Sequence, residues 1–276
     1  VLATGVTQPV TRHVSTTASA LATLNEMYPG RVMSGVGTGF SSLRTVGMPA
    51  AKAAELETFV RALRALLRQQ EVAFAGDVTG ALSWLDEPCA AQVLVAASGP
   101  RMTKLGAAIA DGVILLQGVA PHLLDRGIDW MSEGATQAGR DTDNLSVTCW
   151  TPLGLGKSSQ QGRDDVRARV ASSLMQANPD LFDDANKAAL QRLREAYNSF
   201  AHASSKPDHA KFISDDMVRQ YAVAGDPADV CAQLSLLMAH PRIDRVVLTS
   251  HGGDNSLSEV LKILEKDVLP RIDMDA

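Results

Sequence analysis

Two glycine-containing turns hold the residues of this chain that are best suited to binding a cofactor or an anion. Residues 31–44 (RVMSGVGTGFSSLR) place Gly35, Gly37 and Gly39 directly after an apolar run. Residues 96–102 (AASGPRM) place Ser98 and Gly99 between a strand-like run and a helix-like run. Backbone N–H groups at the start of a helix have no partner within the helix, and together with the helix dipole they favour an anion such as phosphate. The alternative for residues 96–102 is an ordinary turn between a strand and a helix.

The glycine turn does not fit the dinucleotide-binding fingerprint. That fingerprint needs G-x-G-x-x-G at the start of a helix and an acidic residue about twenty positions later. Here the third glycine has the wrong spacing, and the next helix is predicted to begin only near residues 49–52, after a loop. Two interpretations remain. Either small residues let neighbouring strands pack closely, or a flat ring lies against bare backbone.

Several single residues have side chains that could act in catalysis or binding, and each has more than one interpretation. His13 is a ring contact or proton donor, or a structural histidine, and Arg12 pairs with an anion or with a helix carboxylate. Gln117 ends a strand, where its amide can reach a ring or a substrate. Residues 250–253 (SHGG) line the mouth of a site or form a turn, and Asp111 is expected to cap a turn. No carboxylate pair, Ser/His/Asp ordering or metal-ligand cluster stands out, so no metal is predicted.

The composition excludes several classes of partner. The chain has 276 residues, 45% hydrophobic and 21% charged, with a net charge of −5 and no run of Lys or Arg. Nucleic acid and anionic membrane surfaces are therefore not expected as partners. No apolar stretch is long enough to span a bilayer, and the first residues lack the charged region of a signal peptide. The three cysteines lie far apart, which is typical of buried thiols in a reducing compartment, so a cytoplasmic protein is expected.

Strand and helix patterns alternate along the chain. The predicted strands are residues 1–6, 31–37, 92–97, 112–117, 145–156 and 245–250. The predicted helices are residues 15–27, 52–70, 101–110, 123–138, 226–239 and 256–269, and residues 157–222 are expected to be mostly helical. This order predicts a parallel α/β fold, either a doubly wound sheet or a closed (β/α)8 barrel. A barrel needs eight strands, and six are predicted, so about two βα units are expected to be missing at the N-terminus.

Four segments, taken together, resemble one protein superfamily. They are residues 4–13 (TGVTQPVTRH), 20–39 (ALATLNEMYPGRVMSGVGTG), 93–115 (VLVAASGPRMTKLGAAIADGVIL) and 221–230 (YAVAGDPADV). In this order and spacing they resemble the luciferase-like flavin- and deazaflavin-dependent oxidoreductases, with most likeness to the methylenetetrahydromethanopterin reductase branch. The resemblance implies a (β/α)8 TIM barrel whose first two strands would lie before Val1. It implies one domain over residues 1–276, in which residues 156–222 form a helical insertion near the barrel mouth.

The resemblance also implies a cofactor, either coenzyme F420 or FMN, and the residues that hold it. A non-prolyl cis peptide in a bulge at Gly5–Val6 would back the ring. The implied ring contacts are Gly5, Val6, Thr7, Gly37, Thr38 and Gly39, and Gln117, from its place at a strand end, is a further candidate for cofactor binding. The implied phosphate contacts are Ala97, Ser98, Gly99, Arg101 and Met102.

One position departs from the family pattern. In the sugar-phosphate dehydrogenases that the chain resembles, an acid that serves proton transfer follows the G-T-G motif, whereas this chain has Phe40. A phenyl ring cannot exchange protons, which argues against sugar-phosphate oxidation and for a more apolar site. The catalytic candidates are therefore Phe40, His13 and Gln117.

The expected function is hydride transfer to, or monooxygenation of, a small organic substrate by a homodimer. A catalytically silent cofactor-binding homologue or partner subunit is one alternative. An unrelated phosphate-binding barrel enzyme is the other.

Overall fold

A computed structural model of the chain describes residues 1–74, 78–175, 177, 179–198, 207–250 and 255–272. Its strands are β1 (Leu2–Thr7), β2 (Val32–Val36), β3 (Val72–Ala73), β4 (Thr79–Gly80), β5 (Gln92–Ala97), β6 (Gly112–Leu115), β7 (Ser146–Leu155), β8 (Val223–Gly225) and β9 (Arg245–Thr249). Its α-helices are α1 (Val14–Met27), α2 (Phe40–Thr45), α3 (Ala53–Leu67), α4 (Pro100–Ile109), α5 (Pro121–Gln137), α6 (Ser159–Leu174), α7 (Asp184–Ala196), α8 (Asp215–Tyr221), α9 (Pro227–Met238) and α10 (Leu257–Ile263). The chain divides into two compact units, unit 1 (residues 1–114 and 130–146) and unit 2 (residues 115–129 and 147–276).

Unit 1 is built on strands in the order β1, β2, β5, β6, and β2 pairs in parallel with both β1 and β5. Met33 of β2 lies opposite Ala3 of β1 and Gln92 of β5, so the three strands begin and end together. The helix α3 buries the full apolar stripe that its 3–4 spacing predicts. That stripe consists of Leu56, Phe59, Val60, Leu63, Leu66 and Leu67. It packs in one core with α1 and with the strand residues Val36 and Val93, which fixes the strand ends that carry the predicted site.

The strands of unit 2 also pair in parallel. The long strand β7 pairs with β8 on one side and with β9 on the other. Helix α9 begins as the sequence predicts, because Asp226 caps it by accepting hydrogen bonds from the N–H groups of Ala228 and Asp229, and Pro227 occupies the first turn. The predicted helical stretch of residues 157–222 contains α6, α7 and α8. Its location near a barrel mouth stays a prediction.

Two predictions from the sequence need correction. The segment after Gly39 is not a loop, because α2 begins at Phe40. The strand count of six also omits β8, so the described βα units contain seven strands. Three residues (VAG) are too short a run for an alternation pattern, and β8 is a strand because the longer β7 supplies its hydrogen-bonding partner.

Asp111 does not cap a turn, as the sequence suggested. Its Oδ1 accepts hydrogen bonds from Arg64 at 2.6 Å and Arg68 at 2.9 Å, and its Oδ2 accepts one from the N–H of Val93 at 3.0 Å. Burial by itself raises the pKa of this carboxyl. The hydrogen bonds from Arg64 and Val93 and the charges of both arginines outweigh burial, so the pKa of Asp111 lies below its usual value. Through these hydrogen bonds, the Asp111 carboxylate links α3 to the start of β5. This edge lies opposite the strand ends of the candidate site, and in barrel folds it holds residues that contribute to stability.

Within the described segments, no helix combines the length and the apolar character needed to cross a membrane. The three cysteines are free thiols, and burial raises the pKa of Cys149 to about 12, so this thiol stays protonated at neutral pH.

Candidate functional site

Three of the predicted site segments meet at one edge of unit 1. Because β1, β2 and β5 are parallel neighbours, the segments that follow Thr7, Val36 and Ala97 leave the sheet at the same edge. The carboxyl ends of parallel strands are where α/β proteins bind their ligands. The structure therefore brings together the predicted ring contacts at residues 5–7 and 37–39 and the predicted phosphate turn at residues 97–102.

The first strand has the irregularity that the family resemblance implies. The peptide bond between Gly5 and Val6 is cis, and the pairing of β1 with β2 shifts register between Thr4 and Thr7. The Thr4 hydroxyl donates to the carbonyl of Gly35 at 2.9 Å and lies 3.2 Å from the Ser34 hydroxyl. The structure confirms the predicted cis bond and bulge.

Gly37 and Gly39 form a glycine rim beside Val6, in which Gly37 is buried and Gly39 is half-buried. The Gly37 N–H donates to the Thr7 carbonyl at 2.9 Å, and a Cβ added to Gly37 would lie only 2.9 Å from Val6 Cγ2. Gly39 has φ +76°, and a Cβ there would lie 2.8 Å from Leu43 Cδ1. Any side chain at these two positions would displace its neighbours, so the rim needs glycine. These contacts favour the close-packing interpretation of the sequence, and the flat binding face stays a prediction.

Helix α4 begins at this edge without a side-chain cap. Its N-cap is Gly99, in extended backbone, with Pro100 in the first turn and no acidic residue there. The Thr103 N–H and hydroxyl both donate to the Gly99 carbonyl, at 3.1 Å and 2.9 Å. A Cβ added to Gly99 would meet nothing within 4 Å. The start of a ten-residue helix is thus open to an anion, as its amides and dipole favour.

His13 has a structural role in unit 1. Its Nδ1 accepts a hydrogen bond from the Ser15 N–H at 3.3 Å and lies 2.7 Å from the Ser15 hydroxyl, which makes His13 the N-cap of α1. Its ring centroid lies 5.1 Å from that of Phe74. These contacts favour the structural interpretation of His13. His13 also lines a groove of about 930 Å³ between residues 9–14, α3 and residues 71–74, whose lining includes none of the predicted cofactor contacts.

Gln117 belongs to unit 2, and its side chain lies against α5. The amide Nε2 donates to the Leu123 carbonyl at 2.6 Å, and the side chain is only 2% exposed. A Cβ added to Gly127 would lie 2.1 Å from this Nε2, so Gly127 makes room for the amide. Oε1 has no hydrogen-bond partner among the described residues. Sequence reasoning missed this packing role, for which glycine inside the helical pattern of residues 123–138 is the available signal. The predicted residues His251, Gly252 and Gly253 lie outside the described residues.

A family described as luciferase-like monooxygenase matches residues 1–241. The chain belongs to this family.

Individual relatives agree with the luciferase-like assignment. A 5,10-methylenetetrahydromethanopterin reductase from Archaeoglobus fulgidus is 24% identical over 98% of this chain and 82% of its own length. An F420-dependent glucose-6-phosphate dehydrogenase from Nakamurella multipartita is 33% identical over 63% of this chain and 54% of its own length. A solved F420-dependent secondary alcohol dehydrogenase matches with a TM-score of 0.72 at 19% identity, over 98% of this chain and 79% of that one. The predicted luciferase-like α/β barrel fold is confirmed.

Proposed function

We propose that this luciferase-like chain is an F420-dependent oxidoreductase that exchanges a hydride with a small organic substrate. The observation that carries the proposal is the common edge of unit 1, where the glycine rim and the uncapped start of α4 follow neighbouring parallel strands. The names of two similar proteins, an F420-dependent glucose-6-phosphate dehydrogenase and an F420-dependent secondary alcohol dehydrogenase, support F420 over FMN.

The residues at this edge fit a ring joined to a phosphate. Gly5 and Val6 are exposed and Gly39 is half-buried, so a flat ring would lie against these residues, beside the buried Gly37. The amides of Arg101 and Met102 lie in the first turn of α4, and Gly99 leaves the space in front of them open. We assign ring contact to Gly5, Val6, Thr7, Gly37, Thr38 and Gly39, and phosphate contact to Ala97, Ser98, Gly99, Arg101 and Met102. Gln117 is not assigned, because its amide donor is engaged within unit 2.

The mechanism follows from what these residues can and cannot do. The bound cofactor supplies the hydride chemistry, so the chain must orient one ring face, hold the phosphate and exclude water. Phe40 follows the glycine rim and carries no titratable proton, while His13 is engaged as a helix cap. Residues 37–40 therefore accelerate the reaction by shape and position rather than by acid catalysis. This favours a substrate that needs no proton from residue 40, and it argues against the glucose 6-phosphate named for the Nakamurella relative.

The decisive experiment is an absorption spectrum of the purified chain after incubation with F420 or FMN and removal of free cofactor. We expect retention of F420 with micromolar affinity or better and much weaker retention of FMN. Retained FMN with no retained F420 would favour flavin-dependent oxygen chemistry instead. A chain that retains neither cofactor refutes the proposal and favours a binding site for a substrate phosphate at α4.

A further inference from the structure

The segments that follow β1, β2 and β5 carry an excess of positive charge. Residues 8–13, 37–52 and 98–101 contain four cations and no Asp or Glu, although the whole chain has a net charge of −5. The cations are Arg12, Arg44, Lys52 and Arg101. None of the four side chains has a carboxylate within ion-pair distance in the part of the chain that the structure describes. Arg12 lines the groove described above together with Glu55 and Glu71. Arg44 and Arg101 are therefore the two arginines on the segments that carry the proposed ring and phosphate contacts. Cations without an ion-pair partner raise the local concentration of anions.

Arg44 differs from the other three because the structure holds it against an aromatic ring. Its guanidinium carbon lies 5.1 Å from the centroid of the half-buried Phe40 ring. The two residues lie one helical turn apart on α2. This short helix is fixed by Leu43, which is 1% exposed and packs beneath Gly39. Backbone hydrogen bonds from Met48 N–H to the Leu43 carbonyl (2.8 Å) and from Ala51 N–H to the Thr38 carbonyl (2.9 Å) close the segment.

We infer that Arg44, held over Phe40 by a cation–π contact, recognises the carboxylate of an organic-acid substrate whose apolar part lies against the Phe40 ring. The inference rests on the proposed function, since it places the substrate beside the glycine rim. The N–H groups of a planar guanidinium lie in one plane, from which they can donate two parallel hydrogen bonds to a carboxylate. Phe40 thus replaces a proton-exchanging acid with an apolar face and, through Arg44, a positive charge. An acid at residue 40 would repel the substrate class that we infer.

Two other roles for Arg44 make different predictions. As a residue of the last turn of α2, it stabilises the helix C-terminus, and this role leaves ligand affinity unchanged. As a contact to acidic groups of the cofactor, it changes cofactor affinity rather than substrate affinity. The substrate role alone makes binding depend on the charge of a small ligand.

The test compares acids with their neutral amides on the cofactor-loaded chain. Benzoate with benzamide, phenylacetate with phenylacetamide, and hexanoate with hexanamide serve as probe pairs, titrated against the absorption and fluorescence of the bound cofactor. The variants are Arg44→Gln and the matched control Arg61→Gln, which removes one positive charge from an arginine that is 59% exposed and pairs with Glu57 on α3. Cofactor affinity is measured for every variant.

In the wild type and in Arg61→Gln, we expect at least one acid to bind about tenfold or more tightly than its amide, the ratio that a charge-assisted hydrogen bond supplies. In Arg44→Gln this preference disappears while cofactor affinity stays within about twofold. Arg44→Lys keeps part of the preference, because the charge remains and the planar fork is lost.

Three results overturn the inference. Acids and amides that bind the wild type alike, or a whole panel without effect on the bound cofactor, refute carboxylate recognition. A loss of cofactor affinity in Arg44→Gln assigns the arginine to the cofactor. An unchanged acid preference in Arg44→Gln leaves Arg44 with the helix-stabilising role alone. Failure of the wild type to retain any cofactor is a separate result and refutes the proposed function itself.

Discussion

The substitution Gly99→Asp separates the stability of α4 from its proposed use as a phosphate site. Gly99 is the N-cap of α4, its backbone is extended at φ −162° and ψ 172°, and an added Cβ meets nothing within 4 Å. Any residue fits this conformation. Aspartate is among the best N-cap residues, because its carboxylate accepts hydrogen bonds from the first-turn amides. The same amides are those that we assign to the cofactor phosphate, so the carboxylate competes with the ligand.

The two effects have opposite signs. Replacing glycine with aspartate at an N-cap stabilises by a few tenths of a kcal/mol, and the helix dipole adds about 0.3–1 kcal/mol, which together raise Tm by about 1–3 °C. For binding, a carboxylate about 6 Å from a phosphate costs about 3 kcal/mol per unit charge at an effective dielectric constant of about 20, and salt reduces this by roughly half. We therefore expect F420 affinity to fall by at least about tenfold.

The assay measures both quantities on the same preparations. Thermal unfolding gives the stability, and fluorescence titration with F420 gives the affinity, each at two salt concentrations. The matched control is Gly99→Asn, which caps the helix without a charge. If Gly99→Asp binds F420 as tightly as Gly99→Asn does, the phosphate does not lie at the start of α4, and our reasoning about this turn is wrong.

Three further predictions concern residues in both units. Asp111→Asn lowers the free energy of unfolding by about 2 kcal/mol at neutral pH, because Arg64 and the Val93 N–H lose a charged acceptor. Since the folded pKa of Asp111 is lowered, this stability is present above the unfolded pKa of about 4 and is lost as pH falls through the folded value. Urea unfolding that shows a constant gap between wild type and variant down to pH 2 contradicts this. Gly127→Ala lowers the free energy of unfolding by about 1–3 kcal/mol, because the added methyl group clashes with the Gln117 amide. Adding Gln117→Ala to the same chain relieves much of that loss. If the two effects on the free energy of unfolding simply add in a double-mutant cycle, the two residues are not in contact. His13→Ala costs about 1 kcal/mol of stability as a lost N-cap and leaves F420 affinity unchanged, whereas a tenfold weaker affinity would restore His13 as a ring contact.

The sequence predicts the parts of this fold that depend on local patterns. The apolar stripe of α3 and the Asp226–Pro227 start of α9 lie where predicted, because spacing and capping are properties of a few consecutive residues. The short helix α2 and the strand β8 were not predicted. Neither has a distinctive local signal, since β8 depends on pairing with β7 and α2 is held by the burial of Leu43.

The same distinction between local and long-range determinants applies to the residues of the candidate site. Glycines and helix starts act through the backbone, so the positions of Gly37, Gly39 and Gly99 at strand ends follow from the sequence and the family resemblance. Long polar side chains act wherever their partners lie. The Gln117 amide ends on α5, although its strand-end position suggested a ring contact. Arg44 was passed over because its partner is a phenyl ring one turn away on a helix that was not predicted. Under the proposed function the chemistry belongs to the cofactor, so backbone-determined residues would decide what is bound, and we assign the choice of substrate to side chains such as Arg44.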